Sequence, residues 1–470
     1  MTSRVRTLNG EAIRPGGGYV LYWSQMNRRV DANHALAHAA KQADELGLPV
    51  LVYEGLTCTY PYANDRLHTF ILEGVEETER RLKELSIGYI FYLRRCKADP
   101  DDIFYRLAKD AAAVVTDEFP TFVNRRHNES VPGKLDVRMD AVDSSCIVPM
   151  NCLEKREWAA YTIRPKIKRL LPEYLRPAPR IAVRQPYRAK RSPFHTPVTA
   201  AAISQLVASC EIDHSVPPSV GFRGGRRAAE EQLQRFLEDR LRRYAGGRNE
   251  PSAHATSDLS PWLHFGRISS LEVALAVREY AEAHKLIADE FLEELIVRRE
   301  LAFNFTRFTD DYESLDSLPD WSKQTLAVHR KDRRDAVYSR EQFEQGATHD
   351  DLWNATEKEL LVRGKIHGYC RMYWGKKIIE WSADYESALA TMIYLHDRYA
   401  LDGRDPNTYT NILWCFGLHD RPWFERPVFG TIRYMSLGGM ERKTNVKAYI
   451  EEIEALDRER REPEQAELFR

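Results

Sequence analysis

Short apolar runs alternate with amphipathic segments over the N-terminal part of the chain. The apolar runs have the length of buried β-strands and lie at residues 19–23, 48–53, 87–93 and 113–116. The segments between them carry apolar residues at helical spacing and lie at residues 28–46, 64–85 and 101–112. Because strands joined through helices run parallel, this pattern predicts an α/β domain with a parallel sheet at residues 15–160.

Three glycines, Gly16 to Gly18, precede the first predicted strand. A glycine-rich loop that binds a dinucleotide has to follow a strand and open a helix. Since this run stands before its strand, the sequence predicts a flexible entry to the sheet and not a nucleotide-binding loop.

Residues 161–222 are predicted to link two domains. Between residues 164 and 191, ten Lys or Arg residues stand against one acid, Glu173, and prolines recur. This composition predicts an extended linker on the surface. Its positive charge is explained equally well by solvation or by contacts with nucleic-acid phosphates.

From residue 223 to about 455 the pattern is helical. The stretch 226–244 places opposite charges four residues apart, and 289–308 carries apolar stripes at helical spacing. The segment 351–381 predicts two helices that are separated near Gly364 and Gly368. The sequence therefore predicts an all-α domain at 223–455, followed by a charged tail at 456–470 that is expected to be disordered from residue 458 onward.

Composition restricts the class of protein. The 470 residues are 43% hydrophobic and 30% charged, as in a soluble protein with two domains. The net charge of -1 argues against a wholly basic DNA-coating protein, so a nucleic-acid surface would need local clustering. Seven cysteines without a CxxC pair predict a reduced cytoplasmic protein with no metal site. We find no apolar run that predicts a signal peptide or a membrane span.

Three tryptophans are predicted to lie close together on the helix pair at 351–381. Trp374 and Trp381 are seven residues apart, which places them on one helix face about 10 Å apart, and Trp353 lies on the preceding helix. Such a set could pass an electron from the surface to the interior in short hops, although a single buried tryptophan is more often a core residue. Arg371, one turn before Trp374, needs an anionic partner if it is buried.

The order of these residues resembles the flavin-binding region of class II cyclobutane pyrimidine dimer (CPD) photolyases, members of the photolyase/cryptochrome family. The resemblance covers about residues 15–450 and is most specific from Tyr244 to Met440. Its motifs are LSPWLHFG at 259–266, ELIVRRE at 294–300 and HDRPWFERPVFGTIRYMS at 419–436. It implies a Rossmann-like α/β domain followed by an all-α FAD-binding domain. The activity it implies is light-driven repair of pyrimidine dimers by an electron from photoexcited reduced FAD.

The resemblance also implies how FAD is held. Short polar residues ahead of Pro261 predict a helix start, where hydroxyl and backbone N–H groups can receive a phosphate, and the family places the FAD diphosphate at this segment. Arg371 and Asp402 match an ion pair beside the flavin ring that favours the reduced anion. The cofactor-binding residues expected from the resemblance are Tyr244, Thr256, Ser257, Asp258, Leu259, Ser260, Arg371, His396 and Asp402.

The pyrimidine dimer is expected to contact Glu294, Arg298, Met372 and Trp414. Glu294, not Glu300, matches the family glutamate that touches the dimer bases. Its carboxyl group would donate a hydrogen bond to a thymine carbonyl or stabilise the radical anion, and either role would require burial to raise its pKa. By spacing alone, Glu294 and Arg298 could instead form a surface ion pair.

The resemblance further implies a path for re-reduction of the flavin through Trp374, Trp353 and Trp381, in that order outward. Arg371 and Asp402 beside the flavin and Glu294 at the dimer complete the set. The residues expected to carry the reaction are therefore Glu294, Trp353, Trp374, Trp381, Arg371 and Asp402.

Two positions depart from the family pattern. His396 stands where class II enzymes usually have Asn close to flavin N5. A histidine can still donate a hydrogen bond there, but it is expected to titrate near neutral pH. Phe303 stands where the family commonly has Asp, and the sequence offers no reason for the change.

Other functions are compatible with parts of this pattern. A non-repairing, cryptochrome-like blue-light photoreceptor is the main alternative; His396 favours it and the retained dimer contacts disfavour it. Repair of the (6-4) lesion would require histidines at the dimer pocket, and His264 and His367 are not persuasive in that role. A plain nucleotide-binding scaffold is the least specific alternative.

Several expectations concern partners. UV-damaged DNA is the expected substrate of a monomeric, cytoplasmic protein that associates with the nucleoid if it is prokaryotic. A second antenna chromophore of the deazaflavin or folate type is left open by the sequence. Gln465 to Phe469 reads QAELF and resembles, weakly, the peptides that bacterial replication proteins insert into the sliding clamp.

Overall fold

The computed structural model describes residues 2–188 and 192–468, with side chains described from residue 3 to residue 460. Its first half contains a six-stranded sheet in the order β1-β6-β5-β2-β3-β4. The strands are β1 (Val5–Thr7), β2 (Tyr19–Trp23), β3 (Val50–Thr57), β4 (Gly88–Arg94), β5 (Ala111–Asp117) and β6 (Met139–Val142). The β1–β6 pair is antiparallel and the other pairs are parallel. The prediction of a parallel sheet is confirmed.

The helices around the sheet differ from the predicted ones in two places. They are His34–Leu46, Asp65–Leu72, Val75–Glu84, Ile103–Lys109, Phe122–Ser130 and Ala160–Tyr174. The helix predicted from residue 28 begins only at His34, because Asn33 accepts the backbone N–H of Leu36 and acts as its N-cap. The single helix predicted over 64–85 is two helices. Gly74 separates them at a point where an added Cβ would lie 2.3 Å from Cζ of Arg267.

Of the three glycines before β2, Gly17 is buried and packed, whereas Gly16 and Gly18 are exposed. A Cβ added to Gly17 would lie 2.4 Å from the backbone nitrogen of Ala112, at the start of β5. Gly18 donates its backbone N–H to the carbonyl oxygen of Asp110 at 2.8 Å. Gly17 therefore allows two backbone segments to approach each other closely.

The extended conformation predicted for the basic segment 164–191 is wrong for its first part. Residues Ala160–Tyr174 form a helix whose Ile163 and Ile167, four residues apart, are buried. Arg164 on this helix pairs with Glu293 at 2.7 Å, so part of the basic charge is neutralised within the protein. Lys190 and Arg191 lie outside the described residues.

The second half of the chain is helical, as predicted. Its longer helices are Arg226–Arg235, Leu241–Gly247, Ser270–His284, Arg299–Arg307, Asp320–His329, Asp351–Arg363, Gly368–Trp381, Tyr385–Tyr399, Pro406–Cys415 and Val446–Leu468. The shorter ones are Ile203–Ala208, Ser260–His264, Asp289–Leu292, Arg340–Glu344 and Leu437–Glu441. Phe236–Arg240 and Glu293–Arg298 are π-helical turns that join α-helical segments. The two helices predicted over 351–381 are confirmed, and Gly364 ends the first of them in a left-handed conformation (φ 71°).

The C-terminal tail continues the last helix. Residues Val446–Leu468 form one helix, so the disorder predicted from residue 458 onward is wrong as far as Leu468. Phe469 of the predicted clamp-binding peptide lies outside the described residues. No helix in the described ranges has both the length and the apolarity to cross a membrane. All seven cysteines are free, as the reduced state requires.

Apolar and hydrogen-bonded contacts join the two halves. Arg66, buried on the helix Asp65–Leu72, donates to the carbonyl oxygens of Leu360 and Tyr399 at 3.0 and 2.8 Å. Phe303 is fully buried and lies edge-on to Phe119, with ring centroids 5.5 Å apart. Cζ of Arg299 lies 4.5 Å from the centre of the same ring, so Phe303 fills a site between an aromatic ring and a cation.

Candidate functional site

A stack of buried tryptophans forms the centre of the helical half. The rings of Trp353 and Trp374 are nearly parallel, with centroids 6.2 Å apart and planes 5° apart. Trp381 lies on the far side of Trp353, at 6.5 Å and nearly perpendicular to it. All three rings are almost completely buried. The structure therefore places Trp353 between the other two, in the order that the resemblance implies.

The outer end of this stack approaches solvent through two further rings. Tyr338 lies 5.9 Å from Trp381, and His349, an exposed residue, lies 4.7 Å from it. The hydroxyl group of Tyr338 is 2.6 Å from Nδ1 of His349. Trp381 itself is not at the surface.

His396 lies at the inner end of the stack. Its ring is edge-on to Trp374, with centroids 4.9 Å apart. Its Nδ1 lies 3.1 Å from the backbone oxygen of Met392, so Nδ1 carries the proton of the neutral ring. Its Nε2 therefore carries a lone pair, and this buried atom has no hydrogen-bond partner among the described residues. Burial, assisted by Arg371, lowers the pKa of His396 to about 3. The titration near neutral pH that the sequence predicts for His396 is therefore wrong.

Arg371 and Asp402 form the ion pair that the resemblance implies. One terminal nitrogen of Arg371 lies 3.0 and 3.1 Å from the two carboxylate oxygens of Asp402. The hydroxyl of Ser260 donates to the same carboxylate at 2.7 Å. Burial opposes ionisation of Asp402, but Arg371, Lys365 and Ser260 outweigh it and lower its pKa to about 2. The carboxylate is therefore charged at all pH values at which the protein would work.

The polar loop before Pro261 is held by two cations. Asp258, in a left-handed conformation (φ 57°), accepts from Arg240 and Lys365, each at 2.8 Å. Although burial opposes it, Lys365 and Arg240 hold the pKa of Asp258 well below its usual range. The predicted helix start is at Ser260. No loop hydroxyl caps this helix, so its first backbone N–H groups are not used by a side-chain cap.

The rest of the loop has mixed exposure. Leu259 is buried. Thr256 donates its hydroxyl to Asp258 at 3.1 Å, and the carbonyl oxygen of Ser257 accepts from Gln232 at 2.7 Å. These contacts fix the shape of the loop beside the Arg371–Asp402 pair, to which Ser260 connects it.

Glu294 lies at the surface of the same region. Its carboxylate pairs with Arg248 at 2.8 Å, and Arg248 also lies over the ring of Tyr244 at 5.9 Å. The side chain of Glu294 is 42% exposed, so the burial that the sequence analysis requires for it is not present. Arg298 pairs with Glu293 at 3.8 Å, so the alternative ion pair between Glu294 and Arg298 does not form.

The other residues expected at the dimer are half-buried. Met372 follows Arg371 on the helix Gly368–Trp381, and Trp414 is the penultimate residue of the helix Pro406–Cys415. Two cations face the ring of Trp414: Nζ of Lys376 at 4.9 Å and Cζ of Arg433 at 5.4 Å. Of the two histidines weighed for a (6-4) pocket, His264 is buried against Asp405 at 3.2 Å and His367 caps the helix Gly368–Trp381.

The chemistry of this region fits a flavin. Two of its buried polar atoms, Nε2 of His396 and Nε of Arg371, have no hydrogen-bond partner among the described residues. One is an acceptor and the other a donor, which matches the mixed polarity of a flavin ring edge. No group of three or more metal-ligating side chains is arranged to hold an ion in the part of the chain that the structure describes.

Sequence reasoning missed four residues of the site. Arg240 and Lys365 pair with Asp258, and Arg248 pairs with Glu294. The fourth is Glu357, whose Oε2 accepts a hydrogen bond from the indole Nε1–H of Trp374 at 2.6 Å. For Glu357 a signal was available. It is an acid four residues after Trp353 on a helix, and therefore on the tryptophan face.

The fold is shared with solved photolyase and cryptochrome structures. A class III photolyase from Agrobacterium tumefaciens superposes with a TM-score of 0.67 over 95% of this chain and 88% of that one, at 17% identity. A Synechocystis cryptochrome gives a TM-score of 0.67 over 94% of this chain and 100% of that one, at 15% identity. At these identities the likeness defines the architecture alone: an α/β domain joined to a helical domain.

Sequence relatives define the family. The family model described as DNA photolyase matches residues 20–183. A protein named deoxyribodipyrimidine photo-lyase from Methanothermobacter thermautotrophicus is 39% identical over 454 residues, which are 96% of this chain and 98% of the relative. Proteins of the same name from Arabidopsis thaliana and Potorous tridactylus are 37% and 35% identical, over 93% of this chain in each case and 89% and 81% of theirs. The chain belongs to the DNA photolyase family.

Proposed function

We propose that this protein is a class II photolyase that repairs cyclobutane pyrimidine dimers in DNA with light and bound FAD. The observation that carries the proposal is the arrangement of an ion pair beside a tryptophan stack. Arg371 and Asp402 pair with each other and act electrostatically on His396, and the ring of His396 contacts Trp374, which stacks on Trp353. The ion pair and the two buried polar atoms without partners could bind a redox cofactor. The tryptophan stack beside them could carry electrons from the protein surface to that cofactor.

Residues around the ion pair would hold FAD. The loop Thr256, Ser257, Asp258, Leu259 and Ser260 would face the diphosphate, Tyr244 would lie against the cofactor, and Arg371, Asp402 and His396 would line the flavin ring. When bound in its reduced form, FAD supplies light absorption and the electron that splits the dimer. The fixed charges of Arg371 and Asp402 need no rearrangement as charge develops beside them.

The lone pair of His396 gives it a defined role. A neutral histidine with Nδ1 bonded to Met392 offers Nε2 as an acceptor. It would therefore accept a hydrogen bond from a protonated ring nitrogen, whereas the asparagine usual in the family can also donate one. This favours the flavin states that carry that proton.

Three side chains would position the dimer. Glu294 would hydrogen-bond a base, and Met372 and Trp414 would pack on the flipped lesion. Flipping costs less for a dimer than for a normal base because the lesion is already poorly paired. Since Glu294 is bound to Arg248 at 2.8 Å, that ion pair has to turn or open for the base contact to form.

An aromatic and cationic surface beside these residues suits DNA. Among the described residues, the large apolar side chains that are exposed include four aromatic ones, in two segments: Trp158, Tyr161, Trp423 and Phe424. The segments are joined, because His419 donates Nδ1–H to the carbonyl oxygen of Trp158 at 2.6 Å. Exposed rings next to arginines are typical of surfaces that stack on unpaired bases.

Arginines lie directly on these rings. Arg156 lies 5.3 Å from the ring of Trp158, and Arg433 lies 4.1 Å from the ring of Trp423. Their charges would meet backbone phosphates while the rings stack on bases. Cationic groups are therefore clustered locally in a chain whose net charge is only -1, and one of them, Arg433, also pairs with Asp420 at 3.2 Å.

The test is repair of an oligonucleotide with a single thymine dimer by protein with reduced FAD, in blue light and in darkness. Light-dependent restoration of the bases is the expected result. Tight flavin binding without repair would contradict the proposal and favour a blue-light photoreceptor. An oligonucleotide with a (6-4) lesion is the matched substrate control and should not be repaired.

A further inference from the structure

Glu357 is a buried acidic residue that takes part in none of the ion pairs described above. It lies one turn after Trp353 on the helix Asp351–Arg363 and is completely buried. Its Oε2 accepts the indole N–H of Trp374 at 2.6 Å. Its second oxygen, Oε1, is buried without a hydrogen-bond partner among the described residues. The carboxyl group is therefore committed to one contact, with the innermost tryptophan.

We propose that Glu357 is a positioning residue for electron transfer, which holds the Trp374 indole N–H and decides whether the oxidised ring keeps its proton. The proposal deepens the proposed function and rests on it, because it assumes that Trp374 gives up an electron. It concerns the step between loss of that electron and its replacement from Trp353.

The chemistry follows from the single hydrogen bond. An indole that has lost one electron becomes a radical cation, and its N–H becomes far more acidic. In a buried ring the proton can leave only along the bond that Nε1–H already makes. If Glu357 is ionised, the proton moves from Nε1 to Oε2, the N–H bond breaks, and a neutral radical faces a neutral acid.

The outcome differs if Glu357 is protonated. Its carboxyl oxygen still accepts the hydrogen bond, but it does not take the proton. The positive charge then stays on Trp374, and an electron from the stacked Trp353 ring restores it without any proton transfer. A neutral Glu357 thus allows electron transfer from Trp353 to the Trp374 radical cation, whereas an ionised Glu357 converts that cation to a neutral radical on Trp374.

The surroundings favour the neutral acid. Burial raises the pKa of Glu357 to about 8; the bond from Trp374 acts against this rise, and Glu344, on the helix Arg340–Glu344, adds to it. Glu344 itself is bonded to Tyr394 at 3.0 Å and pairs with Arg398 at 3.3 Å. On the other face of Trp374, His396 has a pKa of about 3 and carries no charge between pH 5 and 9.

The test compares the wild type with Glu357→Gln, whose amide oxygen can accept the same indole bond but cannot take a proton. Flash photolysis of the flavin-loaded protein distinguishes cationic from neutral tryptophan radicals by their absorption. In the wild type, the neutral fraction should rise with pH with a midpoint near 8. In Glu357→Gln the rise should be lost and the cation retained at every pH.

The matched control is Glu359→Gln, on the same helix. Glu359 is also buried and accepts a hydrogen bond at 2.6 Å, but from Tyr449 and not from a tryptophan. This variant should keep the wild-type pH profile. Identical profiles in the wild type and Glu357→Gln would overturn the inference.

A second readout does not use photochemistry. Infrared spectra of the full protein in the dark are compared as wild type minus Glu357→Gln, and this difference should contain the band of a buried carboxylic acid that ionises with a midpoint near pH 8. Glu300, whose pKa burial also raises to about 8, is present in both proteins and cancels in the difference. Absence of the band from the difference would also overturn the inference. Trp374→Phe tests the electron path separately from the role of Glu357. If this variant still photoreduces the flavin, the electron does not pass through Trp374.

Discussion

Trp353 donates its indole N–H to the backbone oxygen of Trp374 at 3.0 Å, while their ring planes lie 5° apart. This bond fixes the outer ring to the backbone of the inner one. It links two separate helices, Asp351–Arg363 and Gly368–Trp381, at the point where electron transfer between them would occur. The bond therefore restrains rotation of the Trp353 ring, while the bond to Glu357 restrains rotation of the Trp374 ring.

Replacing Trp353 with Phe should abolish photoreduction of the flavin and leave repair by prereduced protein intact. Phenylalanine is much harder to oxidise, so Trp374 would lose its electron donor. Flavin absorbance under blue light with an external thiol measures the first effect, and a repair assay measures the second. Trp262→Phe is the control, because Trp262 is equally buried and donates to Arg223 at 2.9 Å. Loss of both activities in Trp353→Phe would contradict the assignment.

Glu294→Gln should lower the repair rate per absorbed photon by roughly 10-fold or more, with little change in affinity for dimer DNA. The carboxyl group is expected to act on the dimer and not on the duplex. Repair kinetics under single-turnover conditions test this. Glu290→Gln is a close control, since Glu290 lies one turn earlier and also pairs with Arg248, at 3.5 Å. Equal losses in the two variants would mean that only the Arg248 network matters.

His396 should contribute no proton uptake between pH 5 and 8. Its pKa is lowered to about 3 by burial, so it is neutral throughout this range. The midpoint potential of the bound flavin should differ between wild type and His396→Asn, but the slope of potential against pH should be the same. A break in the slope near pH 6.5, seen in the wild type alone, would show a titrating histidine.

Asp402→Asn should destabilise the protein more at pH 7 than at low pH. The folded pKa of about 2 lies below the ordinary value of 3.8, so ionised Asp402 stabilises the fold above pH 3.8 by on the order of 2 kcal/mol, and this is lost as the pH falls towards 2. Denaturant unfolding at several pH values measures the gap. Asp213→Asn removes a more exposed partner of Arg398, at 2.8 Å, and should cost below about 1 kcal/mol.

Trp158→Ala and Phe424→Ala should each weaken binding of dimer DNA by roughly 1–3 kcal/mol, because each removes a ring that stacks on a base. Their side chains are 61% and 90% exposed, so the fold should tolerate the change. The salt dependence of binding should stay constant, since no cation is removed. Ile287→Ala, at an 82% exposed position elsewhere, is the control. Unchanged affinity would exclude this surface from DNA binding.

Local patterns were sufficient for the secondary structure of the site. The seven-residue spacing of Trp374 and Trp381 and the glycine at 364 predict the helix pair, and the structure has it. The helices at 64–85 and 160–174 were less predictable. Gly74 is required by the tight approach of Arg267, which lies far away in sequence, and the helix Ala160–Tyr174 tolerates Pro165 and Pro172 because Ile163 and Ile167 are buried.

The sequence by itself determined four of the six strands, β2 to β5, the helix face that carries the tryptophans and, through its motifs, the family; the short strands β1 and β6 were not predicted. These depend on periodicity and on neighbours within a few turns. Only the tertiary structure decided that His396 is uncharged, that Glu294 is exposed and paired with Arg248, and that Glu357 bonds Trp374. A pKa and a hydrogen bond depend on burial and on groups from other elements, which are brought together only when the chain folds.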